Sequence, residues 1–397
     1  MKFSNLSLQL EPSITLEITA KAKAAKEMGK DVISFGAGEP DFNTPDNIID
    51  AAIEAMKKGL TKYTPASGIL QLKEAICKKL SKDNNLTYST SQIIVSTGAK
   101  QCLSNVFQAI INPGDEVIVP VPYWISYPEL IKLYGGVPVY VNTSADNNFK
   151  YEISDLEKVI TDNTKAILIN SPNNPTGTVY DYEDLKAIAK FAKKHDLLII
   201  SDEIYEKLIY DDLKHVSIAS ISEDAYNRTI IINGLSKTYA MTGWRIGYAA
   251  GPQGLIKIMS SIQSHTTSNP TSVCQYAAIE ALTGPQDKVE FMIEQFKLRR
   301  DYMVEKINSI KGISCVKPKG AFYVMVNVKD ILNKKIDGEP IANSLNLANL
   351  LLEKYLVAVV PGAAFGDDNY IRLSYATSME NIKKGLDRLE KFVSSLI

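Results

Sequence analysis

Asn233-Gly234-Leu235-Ser236-Lys237-Thr238-Tyr239-Ala240-Met241-Thr242-Gly243-Trp244-Arg245-Ile246-Gly247 follows Thr229-Ile230-Ile231-Ile232, a β-branched run that reads as a buried strand. A lysine just past the end of such a strand sits partly out of water. Desolvation disfavours its charged form and lowers its pKa, as an amine nucleophile needs. Arg245, in a Gly-Trp-Arg-Ile-Gly turn, offers a planar fork for an anion. Taken alone, the pair reads more simply as a surface lysine and a structural arginine.

Two neighbouring stretches change that balance. Asp202 ends the run Leu197-Leu198-Ile199-Ile200-Ser201-Asp202, and a carboxylate at the mouth of a buried strand is costly unless paired. A lysine able to form a Schiff base, beside an arginine able to hold a phosphate, points to pyridoxal phosphate. The ring N–H of that cofactor is a partner for Asp202, and keeping the ring protonated makes it an electron sink. Tyr205 is placed to reach the ring hydroxyl. Asn170-Ser171-Pro172-Asn173-Asn174-Pro175-Thr176-Gly177 follows the apolar run Ala166 to Ile169 and reads as a tight loop with an amide at a strand end. Asn174, Asp202 and Lys237 thus all follow apolar strands, and open α/β sheets bind ligands at the carboxyl ends of their strands.

The composition is that of an ordinary soluble protein, with 45% apolar and 22% charged residues. A net charge of −1 provides no basic field for nucleic acid or an anionic membrane. No apolar run approaches membrane-spanning length and no signal-peptide pattern opens the chain, so the expected compartment is the cytosol. The four cysteines (Cys77, Cys102, Cys274, Cys315) form no CxxC and read as reduced thiols. His195, His215 and His265 show no metal-ligand spacing, so no metal is expected.

Strand and helix patterns alternate from Gln92 onward. Strands are expected at 92–96, 116–119, 137–141, 166–169, 197–201, 229–232 and 246–250, with helices at 46–58, 69–82, from 99, from 124 and over 182–194. This predicts an α/β fold with a mostly parallel, doubly wound sheet. A polar helix near 286–311 leads to a smaller α+β unit with strands at 321–326, 357–360 and 370–374 and a last helix from Met379. The expected organisation is an N-terminal arm and part of the small domain over 1–45, a large domain over 46–285 and a small domain over 286–397.

Further motifs carry a resemblance that spans nearly the whole chain: Pro12-Ser13-Ile14-Thr15, Gly36-Ala37-Gly38-Glu39-Pro40-Asp41-Phe42, Tyr63-Thr64-Pro65, Gly98-Ala99-Lys100-Gln101, Pro122-Tyr123-Trp124, Pro361-Gly362 and Arg372-Leu373-Ser374-Tyr375-Ala376. In this order they resemble the fold-type I pyridoxal-phosphate enzymes of the class I aminotransferase family, and within it the bacterial aspartate aminotransferases of the branch lacking the usual distal-carboxylate arginine. The resemblance implies pyridoxal 5′-phosphate bound through Lys237, with Asp202 on the ring nitrogen, Trp124 stacked on the ring and Asn174 with Tyr205 on the ring hydroxyl. It implies a phosphate held by Gly98, Ala99, Lys100, Ser236 and Arg245, with Tyr63 reaching in from a second subunit of a homodimer that shares its active sites. Many relatives carry serine where this chain has Gly234, and Ser236 is the substitute.

For substrate, the resemblance places Arg372 and Gly38 on the α-carboxylate, beside Trp124 and Asn174. Lys100, with Ser13, Thr15 and the partner's Ser268, would take the distal carboxylate of aspartate, since Ser264 to Pro270 holds no arginine. Lys100 serving the phosphate alone is the other reading. Glu11, a carboxylate where some members of the branch carry lysine, argues against prephenate. The implied activity is ping-pong amino transfer from aspartate to 2-oxoglutarate. The alternatives are an aromatic, alanine or prephenate aminotransferase, a C–S lyase of the same fold, or a sensor domain of a transcription regulator.

Overall fold

The computed structural model describes residues 3–10 and 14–397. Its centre is a seven-stranded sheet built from Ile93–Ser96, Glu116–Val121, Val137–Asn142, Thr164–Asn170, Leu198–Asp202, Thr229–Gly234 and Gly247–Ala250. Across the sheet the order is 93–96, 247–250, 229–234, 198–202, 164–170, 116–121, 137–142. The inner strands are buried almost throughout, whereas 137–142 at one edge is largely accessible. That burial explains their unbroken apolar runs: a parallel sheet covered on both faces has no polar side to alternate with.

Helices cover both faces. Leu103, Val106 and Phe107 of helix Ala99–Ile110 and Met259 of helix Gln253–Thr266 pack in one core with Ile94, Val119 and Ile232. Ile188, Ala189 and Ala192 of helix Tyr182–Lys194 pack in another with Ile118, Ile167 and Ile199. Helix 182–194 opens on a reciprocal cap: Asp181 accepts from the Asp184 N–H at 3.1 Å, and Asp184 accepts from the Asp181 N–H at 2.9 Å. Such a cap satisfies two backbone donors that a helix start leaves free.

One reversal decides where the site forms. Strand 247–250 is antiparallel to both its neighbours, and the other strand pairs of this sheet are parallel. Strands 93–96 and 229–234 therefore run the same way and, with 198–202 and 164–170, deliver their C-terminal ends to one edge. Gly247 opens the reversed strand at that same edge, opposite Ser96 and Gly234.

The second sheet is antiparallel, in the order Val360–Pro361, Tyr370–Ser374, Tyr323–Asn327, Ser314–Cys315. The stretch expected as one strand over 357–360 divides. Val357–Ala358 pairs in parallel with Ile33–Ser34, and Val360–Pro361 pairs with 370–374. Helix Ile14–Glu27 packs on both pieces. The long helix Asp287–Ser309 buries Arg300 completely, with its guanidinium bidentate on Asp211 at 2.7 and 2.8 Å. Among the described residues no helix is long and apolar enough to cross a membrane.

Gly247 tests how tightly the edge is packed. A Cβ there would come within 2.9 Å of Ala99 Cα and closer still to the Gly98–Ala99 backbone, whereas one on Gly243 would meet nothing within 4 Å. Gly247→Ala is expected to cost about 1–3 kcal/mol by overpacking, and Gly243→Ala less than about 0.5 kcal/mol. Urea unfolding midpoints of the two variants check the contrast.

Candidate active site

The strand ends open onto a cavity of about 510 Å³. Lys237, three residues past strand 229–234, projects into it and donates from Nζ to the Gly38 carbonyl at 2.5 Å. The residue is half-buried and reached by solvent through the cavity mouth. Burial pulls its pKa down to about 8; the charge of Glu39 acts against the shift, Arg245 and Arg372 add to it, and Asp202 opposes it. With a pKa of about 8 the amine is half neutral near pH 8 and about one-tenth neutral at pH 7, far more than an ordinary lysine.

Asp202 forms the floor. It is 3% exposed, and burial pushes its carboxyl up to about 6. Two donors hold it: the Tyr127 hydroxyl on Oδ2 at 2.7 Å and the Ile204 N–H on Oδ1 at 3.1 Å. A carboxylate oxygen has capacity for more than one donor, so Asp202 can still accept a donor from the cavity.

A second wall is made for an anion. Gly98, at φ +83°, caps helix 99–110, and a Cβ on it would collide with the Arg245 guanidinium. The first turn of that helix leaves the N–H groups of Ala99 and Lys100 without intrahelical acceptors. Arg245, itself left-handed at φ +56°, donates to the Thr242 carbonyl at 2.9 Å and faces the cavity with Ser236. Lys100 Nζ sits 4.9 Å from the centre of the Trp124 ring. Burial and the nearby Arg245 charge lower its pKa, and among the described residues no carboxylate pairs with it.

On the opposite side Arg372 is 4% exposed. It donates from Nη1 to Asn174 Oδ1 at 3.0 Å and from Nη2 to the Gly36 carbonyl at 3.2 Å, over the Tyr323 ring. Its Nε is buried with no acceptor, and no carboxylate among the described residues pairs with it. Burial lowers its pKa. Asn170 locks the neighbouring loop, accepting from the Asn174 N–H and donating to the Asp202 carbonyl, both at 2.9 Å. The Tyr205 hydroxyl lies 3.0 Å from that of Tyr323, and burial holds it protonated.

The cavity thus gathers Lys237, Asp202, Tyr205, Ala99, Lys100, Trp124, Asn174, Ser236, Arg245, Gly38, Arg372 and Thr15. Gly98 stands just behind, under Arg245. Tyr63, 92% exposed, and Ser268, at φ +62°, lie outside the cavity of the single chain. Ser13 and Glu11 fall outside the described residues. Sequence reading missed Tyr127 and Tyr323. Both are aromatics in periodic segments, where packing is the usual reason for an aromatic. The one signal for Tyr127 was its place three residues after Trp124, in the first turn of the helix that follows it. Glu39 and Asn170 stood inside quoted motifs without a role. Glu39 accepts from the Thr242 hydroxyl at 2.7 Å.

Among the described residues, Lys100, Lys237, Arg245 and Arg372 face two carboxylates, Glu39 and Asp202, across this cavity. The excess is two positive charges, which suits a ligand set carrying several negative charges.

Comparisons with known proteins place this geometry. The family model described as aminotransferase class I and II matches residues 30–389. An aspartate aminotransferase of a Bacillus species is 52% identical over 384 residues, 97% of each chain. Among solved structures, the aspartate aminotransferase of Rhizobium meliloti superposes with a TM-score of 0.97 at 41% identity over the whole of both chains. That of Thermus thermophilus with maleate does so at 0.93 and 42%, covering 98% of this chain and 99% of its own.

The lowered amine pKa has a direct readout. In protein free of any added aldehyde, acylation of Lys237 is expected to rise with pH through a midpoint near 8 rather than the 10.5 of an ordinary lysine. Competitive acetylation followed by peptide mass spectrometry measures it.

Proposed function

Because this chain belongs to the class I and II aminotransferase family, we propose that it transfers the amino group of L-aspartate to 2-oxoglutarate, with pyridoxal 5′-phosphate as cofactor. The observation that carries the reading is the Lys237 amine: half neutral near pH 8, it stands in a cationic cavity that also contains the buried Asp202. The names of the relatives support the substrates, and the maleate of the Thermus thermophilus structure is itself a dicarboxylate.

The donor set fits the cofactor. Asp202, held near 6 by burial with acceptor capacity to spare, suits a cationic ring N–H. Arg245, Ser236 and the first N–H groups of helix 99–110 suit a phosphate dianion. Trp124 offers an indole face, and Asn174 and Tyr205 offer polar groups for the ring hydroxyl. When bound, the cofactor supplies an aldehyde for the substrate amine and a ring that withdraws electrons from the α-carbon.

The remaining work falls to the chain. Lys237 would anchor the cofactor, and its lowered pKa would let the amine move a proton from the substrate α-carbon to the former aldehyde carbon of the cofactor. Arg372 holds the α-carboxylate in its fork, with Gly38 beside it, and its burial excludes competing water. Lys100, with no carboxylate partner among the described residues, takes the distal carboxylate, and Thr15 lines the same cavity. The reading includes a homodimer in which Tyr63 and Ser268 of each chain complete the partner's cavity, and a division into 46–285 around the large sheet and a smaller unit of 1–45 with 286–397.

Two experiments test it. Borohydride reduction of the holoenzyme is expected to fix the cofactor on the peptide containing Lys237; a label on another lysine overturns the assignment. Substrate profiling then separates the cations. Loss of a charge-assisted hydrogen bond costs on the order of 30- to 1,000-fold in kcat/KM. Arg372→Ala is expected to lose that on every amino acid, and Lys100→Ala on aspartate and glutamate with little change for alanine or phenylalanine. A uniform loss in Lys100→Ala, with weaker cofactor binding, would assign Lys100 to the phosphate and displace aspartate as the substrate.

A further inference from the structure

Tyr127 stands in the first turn of helix Ser126–Leu133, 1% exposed. Its ring packs among Leu103, Ile131 and their neighbours, and meets the Trp124 indole edge-on at 5.2 Å and 81°. That packing needs no hydroxyl. A phenol buried here would be unfavourable without a partner, and the partner it has is Asp202 Oδ2, at 2.7 Å. One side chain therefore braces both the indole on one wall of the cavity and the carboxylate on its floor.

We propose that Tyr127 is a positioning residue for Asp202: its hydroxyl keeps the carboxylate ionised and oriented, so that a proton shared with a ring nitrogen in the cavity stays on the nitrogen. The inference rests on the reading that pyridoxal 5′-phosphate occupies the cavity. The groups facing Asp202 come from each element packed around it: Tyr127 from helix 126–133, Cys102 from helix 99–110, Glu203 and Tyr205 from its own strand end, and Lys237 from the loop after 229–234. Of these, Tyr127 is the strongest influence opposing the effect of burial; Glu203 acts with burial, and Lys237 weakly against it. Cys102 and Tyr205 are themselves held protonated, by burial first. Without the phenol the carboxylate becomes the stronger base, and the shared proton moves from nitrogen towards oxygen.

The test is a holoenzyme reconstituted with pyridoxal phosphate labelled with ¹⁵N in the ring, compared between wild type and Tyr127→Phe. The substitution keeps the ring and its packing. The ¹⁵N resonance at neutral pH is expected to shift from the protonated towards the unprotonated position. A hydrogen bond to a charged group is worth about one to two pH units, so the midpoint for ring-nitrogen deprotonation is expected to fall by that amount, with weaker retention of cofactor on dialysis. A purely structural Tyr127 would not move the nitrogen resonance, so an unchanged shift at full occupancy overturns the proposal. If Tyr127→Phe fails to fold, site-specific 3-fluorotyrosine at 127, a stronger donor of nearly the same shape, is expected to raise the midpoint for ring-nitrogen deprotonation, and an unchanged midpoint there overturns it equally. Failure of the wild type to take up the cofactor would overturn the underlying reading instead.

Discussion

A short chain of hydrogen bonds joins the two sheets at the cavity, and the arrangement of the site depends on it. The Asp202 carbonyl accepts from the Asn170 amide, Asn170 Oδ1 accepts from the Asn174 N–H, Asn174 Oδ1 accepts from Arg372, and Arg372 donates again to the Gly36 carbonyl. Four segments distant in sequence are fixed relative to one another by side-chain amides and one guanidinium. These groups are buried, so each lost link would leave a polar group unsatisfied, which makes the chain an effective constraint on geometry.

The site is held in a form that opposes its own charges. Burial works against the cations of Lys237 and Arg372 and against the anion of Asp202. Each would be relieved by a ligand group of the opposite character. The fold therefore carries free energy at the cavity that binding returns, and occupancy is linked to stability as well as to chemistry.

Much of the large sheet was legible because its strands are apolar runs such as Ile230-Ile231-Ile232 and Ile167-Leu168-Ile169, each ended by a polar group. The site residues that lie directly after those runs, Asp202 and Lys237, were legible for the same reason. Pattern also located the helices 182–194 and 287–309 closely. It did not resolve the division of 357–361, since what separates the two pieces is choice of partner: Ile33–Ser34, two residues long, gives almost no signal by itself. Tyr127 and Tyr323 were illegible because a buried aromatic whose hydroxyl is used looks in sequence like one that merely fills space. The roles proposed for Arg372 and Lys100 rest on resemblance, since an arginine in an alternating strand does not say which way it points.

Gly98 and Arg245 stand 147 positions apart in sequence and are sterically one unit. The guanidinium occupies the space that any side chain at 98 would need, and the glycine's φ of +83° already disfavours a substitute. The constraint runs one way: a side chain at 98 would have to displace the guanidinium, whereas Arg245 is exposed and a shorter residue there would leave the glycine undisturbed. The consequence is an asymmetry: the arginine can be exchanged with the glycine in place, whereas a side chain at 98 would cost this wall both its left-handed turn and its cation.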